Sequence, residues 1–193
     1  MIIGTIIQAR LGSTRFPRKI LEEINGRSVL EHVVERIYKA KNHGVVIIAC
    51  PENPTVCLNE HIYIGDESDV LKRYFECAVG YSLDIITRIT ADCPLLAPFE
   101  IDRCVDRILQ RDTHYVTNVG KEGRFGVPDG WDVECFTFHA LQKAHKESTE
   151  REHVTTYMKS DATLNPIILE PPKLSLDDAS DLERIRNWYE LEK

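Results

Sequence analysis

The sequence lacks any long apolar run: no stretch reaches the roughly 18–20 residues that a membrane-spanning helix needs. Residues 1–3 also lack the basic flank of a signal peptide, so we expect a cytoplasmic protein that is not inserted in a membrane. None of the six cysteines forms a C-x-x-C pair, and several lie inside apolar runs, where a free thiol behaves as a small hydrophobe. We therefore expect neither a zinc site nor a disulfide framework.

Four common functional signatures are also missing. The chain contains neither G-x-G-x-x-G nor G-x-x-x-x-G-K-[ST], which disfavours a dinucleotide site of Rossmann type and a Walker phosphate loop. It has seven histidines but no H-E-x-x-H, and it has no G-x-S-x-G nucleophile elbow. Zinc-dependent hydrolysis and serine catalysis therefore have no support in the sequence.

A shortage of positive charge makes one basic cluster informative. The 193 residues carry a net charge of -7, so the protein as a whole should repel nucleic acid and anionic membranes. Against this background four cations, Arg10, Arg15, Arg18 and Lys19, lie close together, with Phe16 as the only aromatic residue among them. The cluster predicts a small anion as partner and disfavours nucleic acid.

Strand-like apolar runs alternate with segments of helical periodicity. The strand-like runs cover residues 2–8, 45–50, 62–64, 84–90, 114–118, 132–137 and 165–169. The helical segments cover residues 29–40, 69–79, 98–110, 153–160 and 178–192. This order predicts one α/β domain over residues 1–193, with a mostly parallel central sheet and helices on both of its faces.

Side chains suited to helix ends mark several of these segments. The predicted starts are a capping box of Ser28 with Glu31, then Ser68, Pro98, and a second capping box of Thr149 with Glu152. Gly44 is the predicted stop of the first helix.

The first loop, residues 8–19, follows an apolar run at the very start of the chain, at the end of a strand where α/β sheets bind ligands. Gly12 and Ser13 offer backbone N–H groups and a hydroxyl, while arginine and lysine bind phosphate oxygens. A phosphate-binding loop is one interpretation of this pattern. From the spacing alone, a solvated basic loop is equally compatible.

Acidic residues follow other strand-like runs. Asp92 lies just past the run 84–90, where one carboxylate together with substrate phosphates would suit Mg²⁺, although it could equally bind backbone N–H groups in the turn before Pro94. Asp177, before the last helical segment, is by itself more typical of an N-cap. Asp132 and Glu134 alternate along a strand and share one face, which favours a binding surface and a solvated strand face equally.

Six segments, in order and spread over nearly the whole chain, carry a family resemblance. They are IIQARLGSTRFPRKIL, GDESDVLKRY, RITADCPLL, DGWDVECF, REHVTTYM and LDDASDLERIR. Together they resemble the cytidylyltransferases that activate acidic sugars, the acylneuraminate and 3-deoxy-manno-octulosonate enzymes, and most of all the related spore-coat polysaccharide biosynthesis proteins.

The resemblance implies a Rossmann-like nucleotidyltransferase fold that transfers CMP from CTP to an acidic sugar of the 2-keto acid type and releases pyrophosphate. Catalysis would depend on Arg10, Lys19 and Asp92, and Mg²⁺ would be held by Asp92 and Asp177. The acceptor sugar would face Asp129, Asp132 and Glu134. The nucleotide would contact Ala9, Arg10, Gly12, Ser13, Arg15, Lys19, Gly65, Asp69, Arg73, Arg88 and Asp92.

The resemblance also implies a homodimer, with REHVTTYM near the partner subunit, and a role in surface polysaccharide or glycan synthesis. On the residues alone, His153 in that segment is more typical of a capping or packing histidine. Lys121 and Arg124 are candidates for binding a sugar carboxylate, or are simply solvated. Residues 51–61 are short for the family, which leaves two alternatives open: a different base specificity, or a catalytically silent nucleotide- or sugar-binding subunit.

Overall fold

The computed structural model describes residues 1–12, 16–54, 60–120, 127 and 130–170. Its strands are β1 (Ile3–Gln8), β2 (Glu23–Ile24), β3 (Arg27–Ser28), β4 (Val45–Cys50), β5 (His61–Ile64), β6 (Ile85–Thr90), β7 (Tyr115–Thr117), β8 (Glu134–Thr137) and β9 (Ile167–Ile168). Its α-helices are α1 (Val29–Tyr38), α2 (Val70–Gly80), α3 (Pro98–Leu109), α4 (Phe138–Glu147) and α5 (Thr156–Ser160). Two short 3₁₀ helices cover Lys19–Leu21 and Ala162–Leu164.

Seven strands form one sheet in the order β5-β4-β1-β6-β8-β7-β9. The strands β5, β4, β1 and β6 are parallel, β8 is antiparallel to both β6 and β7, and β9 is parallel to β7. The chain leaves β1 toward β4 on one side and later returns to β6 on the other, so β1 ends at a switch point where α/β sheets bind ligands. All seven strand-like runs predicted from the sequence are confirmed.

The hairpin of β2 and β3 was not predicted, although its turn carries a recognisable signal. Asn25 and Gly26 connect the two strands, and both have positive φ, 53° and 78°, as a two-residue type I′ turn requires. Each strand has only two residues, so the alternating apolar pattern that identifies a longer strand is too short to detect.

Helix starts were predicted correctly at two places. Ser28 and Glu31 form the expected capping box at α1: the Ser28 hydroxyl accepts from the Glu31 backbone N–H at 3.2 Å, and the Glu31 carboxylate accepts from the Ser28 N–H at 2.6 Å. Pro98 is the first residue of α3, where its missing N–H costs nothing. Helix α4, capped by Thr137, was not predicted from the sequence.

Three predictions about helix ends are wrong. Asp69, not Ser68, caps α2, because its carboxylate accepts from the Lys72 backbone N–H at 2.8 Å. The box of Thr149 with Glu152 does not form, and α5 begins only at Thr156. Gly44 does not end α1, whose C-cap is Lys39.

Gly44 instead permits a close approach between two chain segments. Its φ is +63°, and a Cβ at this position would lie 2.1 Å from the carbonyl oxygen of Ile3, at the beginning of β1. Only glycine allows the backbone to enter β4 in this conformation beside β1.

Alternate residues of the central strands point to the two faces of the sheet. Ile7, Ile48 and Ile89 pack with α1 and α3 in one apolar cluster. Ile6, Ile47 and Ile86 pack with α2, α4 and Met158 of α5 in a second cluster. Helices therefore cover both faces, as predicted, and the fold presents its polar loops at the ends of the strands.

The described cysteines are buried, namely Cys50, Cys77, Cys93, Cys104 and Cys135. In the described part of the chain, no helix is long and apolar enough to cross a membrane.

Candidate active site

A cavity of about 420 Å³ opens at the carboxyl ends of β1 and β6. Five residues predicted to bind the nucleotide line it: Arg10, Lys19, Arg73, Arg88 and Asp92. The parallel register explains their meeting, because Gln8 at the end of β1 lies opposite Thr90 at the end of β6. Residues that follow these two strands therefore emerge side by side.

Lys19 binds Asp92 across the cavity. The loop after β1 turns back through Arg18, which has a left-handed φ of 59° and donates its backbone N–H to the Leu11 carbonyl oxygen at 2.9 Å. The 3₁₀ helix Lys19–Leu21 follows, and the buried Ile20 holds it against the core. The loop therefore places the Lys19 ammonium beside Asp92, the first carboxylate after β6.

The pKa of Asp92 is lowered from its ordinary value. Burial raises it, but the hydrogen bond and charge of Lys19 and the Thr90 hydroxyl lower it by more. Asp92 is thus held as a carboxylate at the cavity wall. It binds the Lys19 ammonium and also accepts a backbone hydrogen bond in its turn, so both interpretations of this residue describe contacts that it makes.

Arg73 is a buried guanidinium that lines the cavity and is only 2% exposed. Its Nη1 donates to the Asp66 carbonyl oxygen at 2.6 Å, while its Nε has no hydrogen-bond partner. Burial lowers its pKa by more than the nearby Tyr74, Cys50 and Asp66 raise it, and the charge of Arg10 also lowers it. No carboxylate among the described residues forms an ion pair with Arg73, so the cavity holds a buried cation that lacks an anion.

Gly65 lies beneath Arg73 and makes room for its stem. A Cβ at Gly65 would come within 2.8 Å of Arg73 Cγ and 2.9 Å of Tyr63 Cε1. The Gly65 backbone N–H donates to the Cys50 carbonyl oxygen at 3.0 Å. Gly65 therefore shapes the wall of the site through close packing, and a direct contact with nucleotide stays a prediction.

Arg88 projects from β6 and is bound on two sides. Its Nε donates to Gln8 Oε1 at 3.1 Å, and its Nη1 contacts Glu134 Oε2 at 2.5 Å. Burial lowers the pKa of Arg88, but Glu134 raises it by more. Arg88 is therefore a fixed charge in the wall.

Glu134 is the centre of a buried polar network. Its Oε1 accepts from the Tyr115 hydroxyl at 2.7 Å, the Thr155 hydroxyl at 2.8 Å and Lys159 Nζ at 2.8 Å. Burial raises its pKa, but the charges of Arg88 and Lys159 lower it to about 2. The Glu134 side chain is only 2% exposed, which contradicts the alternative of a solvated strand face. A contact between Glu134 and a sugar stays a prediction.

Asp69 does not line the cavity but orders its edge. Besides capping α2, its carboxylate accepts from Arg151 Nε at 3.0 Å to each oxygen, and Arg151 Nη2 lies 2.9 Å from Oδ2. This pair ties the start of α2 to residues 150–153. A contact between Asp69 and nucleotide stays a prediction.

Two cavity-lining side chains, Glu152 and His153, were missed as site residues. They belong to the segment REHVTTYM, which the resemblance placed near a partner subunit and in which His153 was interpreted as a capping or packing residue. Glu152 Oε1 lies 3.6 Å from Arg10 Nη1, with both side chains exposed. The only signal that pointed to this loop was its place among the six family segments.

The remaining predicted residues are placed as follows. Ala9 is buried and donates its backbone N–H to the Ala49 carbonyl oxygen at 3.1 Å, while Gly12 lies near Glu67. Asp132 is partly buried and does not line the cavity. Predictions that lie outside the described residues concern Ser13, Arg15, Asp129 and Asp177, the loop cations Lys121 and Arg124, and the helix over 178–192.

Within the described ranges no three His, Cys, Asp or Glu side chains lie close enough to hold a metal ion among themselves. Mg²⁺ is usually held by one or two carboxylates together with substrate phosphates, so a site for it needs no such group of three. Asp92, ionised and at the cavity wall, is the described residue that fits such a role.

Comparison with known proteins identifies relatives along the whole chain. A family model described as cytidylyltransferase matches residues 5–175. An uncharacterised protein of Methanocaldococcus jannaschii is 35% identical, with 100% of this chain and 83% of the relative covered. The spore coat polysaccharide biosynthesis protein SpsF of Bacillus subtilis is 26% identical, covering 96% of this chain and 85% of the relative.

Further similarity extends to enzymes and to a solved structure. The 3-deoxy-manno-octulosonate cytidylyltransferase of Pelobacter propionicus is 34% identical over 118 residues, which cover 56% of this chain and 45% of the relative. The structure of a cytidylyltransferase from Leptospira borgpetersenii is 27% identical with a TM-score of 0.79, covering 96% of this chain and 85% of that one. The nucleotidyltransferase fold is thereby confirmed, and the chain belongs to the cytidylyltransferase family.

Proposed function

We propose that this protein transfers CMP from CTP to an acidic sugar of the 2-keto acid type and releases pyrophosphate. The observation that carries the proposal is Arg73, a buried guanidinium with no anionic partner among the described residues, in a cavity that also contains Arg10 and Lys19. A buried charge is costly unless it is compensated. The negative charge of a bound triphosphate would compensate the charge of Arg73. Because the chain belongs to the cytidylyltransferase family, we propose that this triphosphate is CTP.

In the reaction, a hydroxyl oxygen of the sugar attacks the α-phosphorus of CTP. A new P–O bond forms, the bond to the oxygen bridging to the β-phosphate breaks, and pyrophosphate leaves with the bonding electron pair. Arg10 and Lys19, with Arg15 from the same loop, stabilise the charge that develops on the departing pyrophosphate. Lys19 is paired with Asp92 in the free protein and turns to the phosphates when the nucleotide binds.

Asp92 and Asp177 are proposed to hold Mg²⁺. When bound, the ion supplies positive charge next to the phosphate oxygens. Arg73 and Arg88 line the wall from α2 and β6, and the tether of Arg88 to Gln8 and Glu134 fixes the direction of its guanidinium. Such preorganised charges cost no rearrangement at the moment of reaction.

The choice of acceptor is supported by relatives. One is named for spore coat polysaccharide biosynthesis and another for cytidylyl transfer to 3-deoxy-manno-octulosonate. We extend the proposal to an acidic sugar used in surface polysaccharide or glycan synthesis, with Asp129, Asp132 and Glu134 on the acceptor side. We also propose a cytoplasmic homodimer, a location in which buried thiols such as those of Cys50 and Cys77 stay reduced.

The test is a pyrophosphate-release assay with Mg²⁺, each of the four nucleoside triphosphates, and a panel of eight- and nine-carbon 2-keto sugar acids that includes 3-deoxy-manno-octulosonate. Release with CTP and at least one keto acid is expected. Faster release with another triphosphate would show that the enzyme uses a nucleotide other than CTP. Tight binding of CTP without release for any acceptor would instead favour a nucleotide-binding subunit.

A further inference from the structure

Residues 150–153 present Glu152 and His153 to the cavity that contains Lys19 and Asp92. Both side chains are exposed. His153 donates its backbone N–H to Glu150, but in the described part of the chain no hydrogen bond engages its imidazole ring. The ring interacts electrostatically with the Glu150 carboxylate, and its residue lines the cavity, so we treat its nitrogens as candidates for contact with a bound molecule.

The loop that carries these side chains is held firmly on its amino-terminal side. All three guanidinium nitrogens of Arg151 bind neighbouring residues. Nε and Nη2 bind the Asp69 carboxylate, and Nη1 donates to the His145 carbonyl oxygen at 3.0 Å. The Arg151 carbonyl oxygen accepts from the Leu71 backbone N–H at 2.9 Å. These bonds connect the loop to both α2 and α4.

The loop is also fixed from within and on its carboxyl-terminal side. One carboxylate oxygen of Glu150 accepts from the backbone N–H groups of Glu152 and His153, at 2.8 and 3.1 Å. Two residues beyond His153, the buried Thr155 donates to Glu134. The backbone is thus ordered on either side of His153, which is the preorganisation that a catalytic group needs.

Attack by a sugar hydroxyl requires an acceptor for its proton, and most groups that line the cavity cannot serve. Arginine and lysine have no free lone pair. The Asp92 carboxylate is bound by Lys19 in the free protein and is the proposed ligand of Mg²⁺ once the nucleotide is bound, so it is occupied in both states. The Glu152 carboxylate is paired with Arg10.

Glu67 is the remaining carboxylate of the cavity. A Cβ on Gly12 would lie 3.6 Å from its Oε1, so this carboxylate borders the phosphate loop. The triphosphate, rather than the attacking hydroxyl of the sugar, would occupy the side of the cavity next to Glu67. A neutral imidazole accepts a proton without placing a negative charge next to the triphosphate, which leaves His153 as the suitable base.

We infer that His153 accepts the proton of the sugar hydroxyl that attacks the α-phosphorus; this inference rests on the proposed transfer of CMP. As the P–O bond forms and pyrophosphate leaves with its electron pair, the hydroxyl proton passes to the unprotonated ring nitrogen of His153. The resulting imidazolium later returns the proton to solvent. Glu152 stays paired with Arg10 and keeps the loop directed at the phosphate side.

The titratable and charged groups that share the cavity with His153 come from several elements. Arg10 follows β1, Lys19 follows the first loop, Glu67 precedes α2, Arg73 belongs to α2, Arg88 belongs to β6, and Asp92 follows β6. On its own loop, Glu150 and Glu152 flank it. The test must therefore distinguish loss of the proton acceptor His153 from a general change in the charge of the cavity.

The experiment compares His153→Gln and His153→Ala with the wild type, using the keto acid from the panel that the wild type uses fastest. Hydrolysis of CTP to CMP and pyrophosphate, with water in place of the sugar hydroxyl, provides a second readout. His61→Gln and His61→Ala are matched controls, because His61 lies on the edge strand β5, away from the cavity. CTP affinity is measured alongside by equilibrium binding.

Both His153 variants are expected to lower kcat about 100-fold or more while binding CTP as tightly as the wild type. Added imidazole should restore part of the activity of His153→Ala but not of His153→Gln. Full activity of His153→Gln would overturn the inference and leave the proposed transferase intact. Absence of pyrophosphate release by the wild type with every acceptor and with water would overturn both.

Discussion

The ammonium of Lys19 binds the carboxylate of Asp92 across the carboxyl edge of the sheet, joining two residues that are 73 positions apart in the chain. The pair links the basic loop after β1 to the first carboxylate beyond β6, the two features that define the candidate site in the sequence. Each residue holds the other in place until a nucleotide provides a different partner for both.

Lys19→Ala and Asp92→Asn are each expected to lower pyrophosphate release by a factor of about 100 or more, because the first removes a cation positioned at the phosphates and the second removes a proposed ligand of Mg²⁺. Lys41→Ala is the matched control, since Lys41 is exposed and lies outside the cavity. Steady-state assays with saturating CTP measure the effect. Near wild-type release by either site variant would show that the pair is structural.

Arg73→Met should separate stability from nucleotide binding. Replacing a buried guanidinium that lacks an anionic partner by an apolar side chain of similar length removes an uncompensated charge. We expect the free energy of unfolding without nucleotide to be unchanged or higher, and the rise in thermal midpoint on adding CTP to be lost. Thermal unfolding with and without CTP measures both.

Arg27→Met is the control for that experiment, because Arg27 is exposed and pairs with Glu35 on the surface. It should keep the stabilisation by CTP. A loss of several kcal/mol for Arg73→Met without nucleotide would instead mean that its bond to the Asp66 carbonyl oxygen holds the fold together.

The sequence predicted the site best where chemistry depends on the ends of strands. Arg10 and Asp92 each lie just beyond a long apolar run, Lys19 lies at the end of the loop that begins with Arg10, and parallel pairing of β1 with β6 brings the ends of those runs together. The same logic identified all seven strands of the main sheet. The local signal of a capping box was correct for Ser28 with Glu31 and wrong for Thr149 with Glu152.

The sequence predicted poorly where several groups compete for one partner. Ser68 and Asp69 are both suitable caps, and the outcome depends on the Asp66 carboxylate, which accepts from the N–H groups of both residues at 3.0 and 2.9 Å. His153 could not be assigned to the cavity, because its position depends on Arg151 binding Asp69, which is 82 residues away. Such long-range ion pairs leave no periodic pattern in a single sequence.

Glu134 should make stability depend on pH in the acidic range. Its pKa is about 2 in the folded protein against an ordinary value of 4.5, so its contribution is fully present above about pH 4.5 and is lost as the pH falls toward 2. Glu134→Gln should cost about 3–5 kcal/mol near neutral pH, because Arg88 loses its buried partner. Urea unfolding at several pH values measures this.

The variant should also be less sensitive to acid than the wild type, since the group that must be protonated on acidification is gone. Glu22→Gln, at an exposed side chain, serves as the control and should follow the wild-type profile. Parallel profiles for the wild type and Glu134→Gln would show that other carboxylates dominate acid unfolding.

Gly44 and Gly80 should respond oppositely to alanine. At Gly44 the new Cβ would meet the Ile3 carbonyl oxygen at 2.1 Å and would force an L residue into φ +63°, so Gly44→Ala should lower the free energy of unfolding by more than about 1–2 kcal/mol. At Gly80, the last residue of α2, a Cβ meets nothing within 4 Å. Gly80→Ala should therefore raise stability by about 0.4–1 kcal/mol, because the unfolded chain loses entropy. Urea unfolding of both variants tests the pair, and an equal effect at the two positions would mean that β1 and β4 can separate enough to admit the methyl group.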